Sequence, residues 1–184
     1  MSINCIDSKL LWEVDPKLPP NILKELTQQV LNNPDFVTST MSDQVIHTDI
    51  RKSTNSWLYS DHWIAGVIYN LFASANQAFF HYNLDHFGDG IQITVYEEGD
   101  FFNWHTDGYT SDAYDERKLS ISLLLTDDYE GGELEFELKP QIYIKKPKAG
   151  SAIIFPSWLP HRVKPIKSGK RVSLVAWMNG PVFR

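Results

Sequence analysis

The segment IQITVYEEGDFFNWHTD, residues 91 to 107, contains two strand-like runs separated by a turn cluster. Val, Ile, Tyr and Phe are frequent in both runs, and EEGD is typical of the turn between two strands. His105 and Asp107 stand two residues apart, and residues at that spacing point to the same face of a strand. The segment therefore predicts a strand that presents an imidazole and a carboxylate together.

The same alternation of apolar runs and turn clusters continues to the end of the chain. Eight runs are found, at residues 91–97, 102–106, 117–125, 132–138, 141–146, 151–156, 160–165 and 170–178. Eight short strands at this spacing predict a mainly β fold, a jelly roll (double-stranded β-helix) or a related sandwich.

Two helices are predicted upstream of these strands. The first ends before Asn33-Pro34, and the second follows Ser60, a residue type that caps helices. Apolar residues recur at helical spacing in both: Ile22, Leu23, Leu26 and Val30 in the first, and Ile64, Ile68, Leu71, Ala75 and Ala78 in the second. We expect both helices to buttress one sheet of a single domain, residues 1–184. Residues 1–85 would form the helical support and substrate-side segment, and residues 86–184 the jelly-roll core.

Composition limits the classes of function. The 184 residues are 42% hydrophobic and carry a formal net charge of -6, which favours a globular protein and disfavours nucleic acid as a partner. Cys5 is the only cysteine, so no internal disulfide forms, and a reducing compartment is expected. The chain starts without a signal-peptide pattern and has no apolar run of transmembrane length, so we expect a cytoplasmic protein without a membrane partner. No feature requires a dimer.

A third metal ligand is available at His161, in the segment FPSWLPHRV. Two imidazoles and one carboxylate on one side of a metal form the facial triad of non-heme Fe(II) oxygenases. An HxD pair alone is common by chance, and a structural role for His105 and Asp107 is the alternative.

The segment KRVSLVAW, residues 170 to 177, places Arg171 and Ser173 on one face of a strand. An inward arginine in a core strand requires an anion, and a carboxylate matches its planar fork. The distal carboxylate of 2-oxoglutarate meets this requirement, and the phenol of Tyr96 could donate to it from a neighbouring strand. An exposed, solvated Arg171 and an ordinary core Tyr96 are the alternatives.

These segments, together with RKLSISLLLTDDYEGGELEF, resemble the 2-oxoglutarate- and Fe(II)-dependent oxygenases of the prolyl 4-hydroxylase-like superfamily, and most closely their PKHD-type hydroxylase branch. The resemblance covers about residues 82 to 184. It implies a jelly-roll fold with Fe(II), 2-oxoglutarate and O2 as cofactors and co-substrates, and ascorbate as an accessory reductant. Position by position it implies iron ligands at His105, Asp107 and His161, and co-substrate contacts at Arg171, Ser173, Tyr96 and Trp177.

Other positions carry weaker implications of the same resemblance. Gly131-Gly132 matches a turn whose role is backbone conformation. Some prolyl hydroxylases have a second co-substrate tyrosine where this chain has Leu124 or its neighbours, so one polar contact is missing. Arg51, Trp57 and Tyr109 are candidate substrate contacts, and the loop that begins at Gly108 is a candidate lid.

The resemblance implies a hydroxylase that couples oxidative decarboxylation of 2-oxoglutarate to hydroxylation of a C–H bond. A peptidyl proline is the expected substrate, as in procollagen-proline 4-dioxygenases. A free amino acid or another small molecule is the nearest alternative, because one fold serves different substrates. A jelly-roll binding module with a structural metal and no catalysis is the alternative of another class.

Overall fold

The computed structural model describes residues 10–33, 35–40, 47–88, 90–108 and 116–181. These residues form two α-helices, one π-helix and fifteen strands. In chain order they are β1 (Trp12–Val14), α1 (Pro20–Leu31), β2 (Val37–Thr38), β3 (Arg51–Lys52), β4 (Thr54–Leu58), α2 (Trp63–Ala75), the π-helix (Asn76–Phe80), β5 (His86–Phe87), β6 (Ile91–Tyr96), β7 (Phe101–His105), β8 (Arg117–Leu124), β9 (Glu130–Gly131), β10 (Leu134–Leu138), β11 (Gln141–Lys145), β12 (Ala152–Pro156), β13 (His161–Val163), β14 (Ile166–Ser168) and β15 (Arg171–Asn179).

The strands form two main sheets that face each other. The major sheet has the order β1-β12-β8-β15-β6-β4-β2, with β5 also paired to β15. The minor sheet has the order β11-β10-β13-β7-β3, and all the pairings are antiparallel. All eight strand runs predicted from the sequence are present, and the jelly-roll prediction is confirmed.

The outer face of the major sheet packs on the two helices. On β15 the even-numbered residues Val172, Leu174, Ala176 and Met178 lie in one apolar cluster with Leu26 and Val30 of α1 and with Ile64, Ile68 and Leu71 of α2. Burial of these side chains is the main favourable contribution to this packing, at roughly 1.5 to 3 kcal/mol for each large aliphatic group. The helices therefore buttress one sheet, as the sequence predicts.

Two details of the second helix differ from the sequence-based expectation. Helix α2 begins at Trp63, and its N-cap is His62, whose Nδ1 accepts from the Ile64 N–H at 3.3 Å, so the Ser60 cap is wrong. Ala78 is exposed because the π-helix interrupts the helical spacing after Ala75.

The segment before residue 86 also contributes more than helices. Strand β4 pairs with β6 in the major sheet, and β3 pairs with β7 at the edge of the minor sheet. The N-terminal half therefore places Arg51, Asn55 and Trp57 on the strands that face the space between the sheets.

Within the described residues, no helix combines the length and the apolar character needed to span a membrane.

Candidate active site

Three potential metal ligands converge at one end of the minor sheet. His105 is the last residue of β7, His161 is the first residue of β13, and the two are direct partners in the antiparallel register. Asp107 follows β7 by two residues, and one ligand atom from each residue lies within 4.8 Å of the others. The Nε2 atoms of His105 and His161 lie 3.8 and 3.6 Å from carboxylate oxygens of Asp107. The three side chains named from the sequence thus form one cluster.

Both imidazole rings are oriented by backbone carbonyl groups two residues earlier in the chain. Nδ1 of His105 lies 2.7 Å from the Asn103 carbonyl oxygen, and Nδ1 of His161 lies 2.9 Å from that of Leu159. A carbonyl oxygen only accepts, so Nδ1 is the donor in each contact, and a ring that keeps its single proton there presents the Nε2 lone pair. Such a contact fixes the tautomer and direction of a metal-binding histidine.

Asp107 is held by both its main chain and its side chain. Its N–H donates to the Ser157 carbonyl at 2.8 Å, and the Ser120 hydroxyl donates to Oδ2 at 2.7 Å. Burial tends to raise the pKa of this carboxyl, but His161, His105 and the Ser120 hydroxyl outweigh burial and hold the pKa below its ordinary value. The carboxylate is therefore ionised at neutral pH, which a metal ligand requires.

His105 lies in an apolar and cationic environment. Its ring stacks on Phe102 with 3.4 Å between ring centroids and an interplanar angle of 11°. Burial, followed by the charge of His161, lowers the pKa of His105 to about 3, against the opposing effect of Asp107. The ring is therefore neutral and able to bind a metal across the physiological range.

Arg171 occupies the other end of the site, at the start of β15. It is 3% exposed, its Nη1 donates to the Ser173 hydroxyl at 2.8 Å, and its guanidinium lies 5.5 Å from the centre of the Tyr96 ring. Arg171 Nε is buried and has no hydrogen-bond partner among the described residues. A buried guanidinium with only neutral contacts requires an anion.

Trp177 presents a second buried donor. Its indole Nε1 lies close enough to Asp107 to help lower the pKa of that carboxyl, although no described residue accepts a well-formed hydrogen bond from it. The guanidinium of Arg117 packs on the Trp177 ring, 3.9 Å from its centre. Buried donors at Arg171 and Trp177, together with the His-Asp-His donor set, fit Fe(II) and an acidic co-substrate in this space.

A cavity of about 480 Å³ connects these groups and lies between the two sheets. The odd-numbered residues of β15 line it: Arg171, Ser173, Val175 and Trp177. Neighbouring strands contribute side chains in register with them, and the row through Ser173 continues as Thr94 on β6 and Asn55 on β4. One face of the major sheet therefore forms the cavity floor.

The structure brings most of the predicted site residues together. The cavity is lined by His105, Asp107, His161, Arg171, Ser173, Tyr96, Trp177, Arg51 and Trp57. Tyr109 and most of the predicted lid loop lie outside the described residues. Leu124, where the resemblance implies one polar contact fewer, is buried and pairs directly with Ser173.

Several polar residues of the site were not identified from the sequence. Ser120 contacts Asp107, while Asn55, Gln92, Thr94 and Ser122 line the cavity. Their signal is the two-residue spacing of polar side chains within otherwise apolar strands, as in KLSISLLL. A cavity-facing role follows from that spacing only when the sheet order is known.

Comparison with known proteins finds a matching family for the strand-rich half of the chain. Residues 91–179 match the sequence model of the 2OG-Fe(II) oxygenase superfamily, a segment that contains all three clustered ligands and Arg171. The cofactors that this superfamily implies are Fe(II), 2-oxoglutarate and O2, and the donor set of the site is of the matching type.

Curated relatives with similar sequences are PKHD-type hydroxylases. The chain is 42% identical over 90 residues to a PKHD-type hydroxylase of Synechococcus sp. (strain CC9902), a match that covers 48% of this chain and 40% of the relative. It is 38% identical over 95 residues to a PKHD-type hydroxylase of Hyphomonas neptunium, covering 49% and 42%. The matches thus span about two fifths of the relatives' length. The resemblance to the prolyl 4-hydroxylase-like superfamily and its PKHD-type branch is confirmed.

Solved structures extend the likeness in fold to almost the whole chain. A prolyl-4-hydroxylase of Pseudomonas putida superposes with a TM-score of 0.77 at 21% identity, covering 93% of this chain and 92% of the other. A prolyl hydroxylase of Trichoplax adhaerens, in complex with a hypoxia inducible factor peptide fragment, gives 0.81 at 19% identity and covers 94% and 84%. The fold therefore includes the N-terminal helices and strands that lie outside the family match.

Proposed function

We propose that this protein is an Fe(II)- and 2-oxoglutarate-dependent hydroxylase whose substrate is a prolyl residue in a peptide or protein. The observation that carries the proposal is the convergence of His105, Asp107 and His161, which leaves the opposite side of a bound ion open. Structural zinc sites are closed by four ligands and are usually rich in cysteine, so this donor set disfavours a purely structural metal.

One set of residues would bind the metal, and another set would bind the co-substrate. His105, Asp107 and His161 hold the iron, and Arg171 binds the distal carboxylate of 2-oxoglutarate with support from Ser173 and Tyr96. When bound, iron and 2-oxoglutarate supply the oxidising chemistry, in which release of succinate and carbon dioxide accompanies hydroxylation of a C–H bond.

Aromatic side chains around the metal ligands exclude water from the reacting groups. Phe102 stacks on His105, and Phe155 lies edge-on to His161 with 4.7 Å between ring centroids. Trp57 and Trp177 lie 6.3 Å apart, centre to centre, on the major sheet. An apolar wall of this kind suppresses side reactions of a strong oxidant with solvent.

A peptide substrate is supported by the likeness to prolyl hydroxylases, one of which was solved with a peptide. A free amino acid or another small molecule is the second candidate, and the cationic Arg51 in the cavity favours it. Ascorbate is proposed as the reductant that keeps the iron ferrous. The cytoplasm is the proposed location, supported by the single cysteine.

The co-substrate part is tested by adding Fe(II) and 2-oxoglutarate to the protein without oxygen and recording the visible spectrum. We expect a metal-to-ligand charge-transfer band in the wild type and in the control Lys170→Ala, whose side chain pairs with Glu97 at the surface. We expect none in His161→Ala. A wild-type protein without the band would contradict the proposed function.

The substrate part is tested by mass spectrometry of proline-containing peptides and of free L-proline after incubation with enzyme, iron, ascorbate and 2-oxoglutarate. One added oxygen on a peptide is the expected result. Oxygen added only to free L-proline, or succinate released only with another compound, would assign the substrate to the second candidate.

A further inference from the structure

Arg51 is a second buried arginine in the active-site cavity, on a different strand from Arg171. It begins β3 at the edge of the minor sheet, is 8% exposed and lines the same cavity as the metal ligands. Its guanidinium packs on the Phe102 ring, which in turn stacks on His105. Arg51 therefore lies at the metal end of the cavity, where a substrate must bind.

The contacts of Arg51 with the described residues are all with neutral groups. Its Nε donates to the Ser53 hydroxyl at 2.9 Å, its Nη2 donates to Asn55 Oδ1 at 2.9 Å, and its guanidinium lies 4.6 Å from the centre of the Phe102 ring. Among the described residues no carboxylate lies within ion-pairing distance of it. These contacts fix the direction of the guanidinium and leave Nη1 available to a ligand.

The charges of the site leave Arg51 without a counter-charge. Asp107 and the keto-acid carboxylate of 2-oxoglutarate together balance Fe(II), and the distal carboxylate of 2-oxoglutarate balances Arg171. Arg117 also lines the cavity and has partners elsewhere in the chain, one of them the Asp107 carbonyl oxygen. Arg51 has no carboxylate partner among the described residues, and a buried charge without a partner is costly.

We propose that the substrate carries a carboxylate group that binds Arg51. This inference rests on the proposed hydroxylase function, which assigns the other anionic groups their places. A carboxylate carries the single negative charge that the site lacks and matches the planar guanidinium, whereas a phosphate monoester carries about 1.5 to 2 negative charges at pH 7. The carboxylate belongs either to a free amino acid or to an acidic side chain or C-terminus of a peptide.

The test uses protein loaded with Mn(II) and 2-oxoglutarate, which binds ligands without turnover, and measures binding by ligand-observed NMR. The probes are matched pairs that differ in one charge: L-proline and L-prolinamide, and a proline-containing peptide with a free or an amidated C-terminus. A third pair compares the amidated peptide carrying glutamate with the same peptide carrying glutamine. We expect the acid of at least one pair to bind tenfold or more tighter than its neutral partner, and the pair that responds identifies the source.

Variants test whether Arg51 causes the tighter binding of the acid probes. Arg51→Gln removes the charge, and we expect it to abolish the difference between acid and neutral probe, while Arg51→Lys retains part of it. Lys52→Gln is the matched control, because Lys52 lies next in the chain, pairs with Asp100 at 3.0 Å and does not line the cavity. Lys52→Gln should retain the full preference.

The outcomes separate this inference from the proposed function. A wild-type protein that fails to bind 2-oxoglutarate contradicts the hydroxylase itself. A wild-type protein that binds 2-oxoglutarate but shows no acid preference in any pair overturns the Arg51 inference alone. An acid preference that Arg51→Gln retains also overturns it. The comparison of probes on the wild type needs no variant and stands even where Arg51→Gln fails to fold.

Discussion

The Ser120 hydroxyl donates a 2.7 Å hydrogen bond to Oδ2 of Asp107, the same oxygen that lies 3.6 Å from Nε2 of His161. Ser120 is fully buried and comes from β8 of the major sheet, whereas Asp107 follows β7 of the minor sheet. This bond connects the two sheets at the metal cluster. It also orients the carboxylate so that Oδ2 faces His161 and Oδ1 faces His105.

Ser120→Ala should weaken metal binding by about ten- to a hundredfold, the usual effect of removing a group that orients a metal ligand. The lost hydrogen bond also removes one cause of the lowered pKa of Asp107, so the pKa should rise. Anaerobic titration with Fe(II) measures the affinity. Ser122→Ala, two residues along the same strand, is the control and should bind as the wild type does.

Arg171→Ala should weaken 2-oxoglutarate binding by about 1.5 to 3 kcal/mol, which is roughly ten- to a hundredfold, because a charge-assisted pair is lost. Ser173→Ala removes a neutral contact and should cost less. Calorimetry on the Mn(II)-loaded protein measures both affinities. An Arg171→Ala protein that binds 2-oxoglutarate as tightly as the Lys170→Ala control does would remove Arg171 from the co-substrate site.

Acid should destabilise the metal-free protein in part through His105. Its folded-state pKa of about 3 lies below the unfolded value of about 6.5, so between these values the unfolded chain binds a proton that the folded chain excludes. This contribution to stability is fully present above about pH 6.5 and is lost as the pH falls toward 3.

Chemical unfolding at several pH values, with a chelator present, measures this effect. Between pH 6 and 4 the free energy of unfolding of His105→Gln should fall less steeply than that of the wild type, by up to about 1.4 kcal/mol per pH unit. His86→Gln changes an exposed histidine and is the control. Equal slopes for His105→Gln and the wild type would show that burial does not exclude the proton from His105.

Gly131→Ala should destabilise the fold more than Gly99→Ala. Both glycines have positive φ angles, 74° at Gly131 and 81° at Gly99, so each alanine incurs about 1 to 2 kcal/mol of backbone strain. A Cβ at Gly131 would also clash with the Pro165 carbonyl oxygen, whereas a Cβ at Gly99 has nothing within 4 Å. The clash should add about 1 to 3 kcal/mol. Denaturant unfolding of the two variants measures the difference.

Local pattern was sufficient to predict the eight strand runs that begin at residue 91 and to place His105 and Asp107 on one face. His161 was named as the third ligand by its residue type. Its pairing with His105, 56 positions earlier, was not predicted, since a sequence pattern alone does not contain sheet order. The predicted start of α2 was less accurate. His62 caps this helix through a ring nitrogen, and histidine is a less common N-cap residue than serine.

The environment of Arg51 could not be predicted in this way. Its neutral partners Ser53 and Asn55 are close in sequence, but the absence of a nearby described carboxylate depends on how β3 and β4 meet the two sheets. The contact of Ser120 with Asp107 likewise joins residues of different sheets. Contacts of this kind depend on tertiary packing, so the local periodicity of the sequence does not predict them.

The two faces of β15 have different roles. Arg171, Ser173, Val175 and Trp177 face the cavity, and the residues between them pack in the core against the two helices. A complete substitution scan of this strand should therefore give two interleaved profiles, one for ligand selection and one for folding. Selection for a new substrate can alter the odd positions while the even positions stay fixed. A single-residue insertion would exchange the two sets and abolish both properties at once.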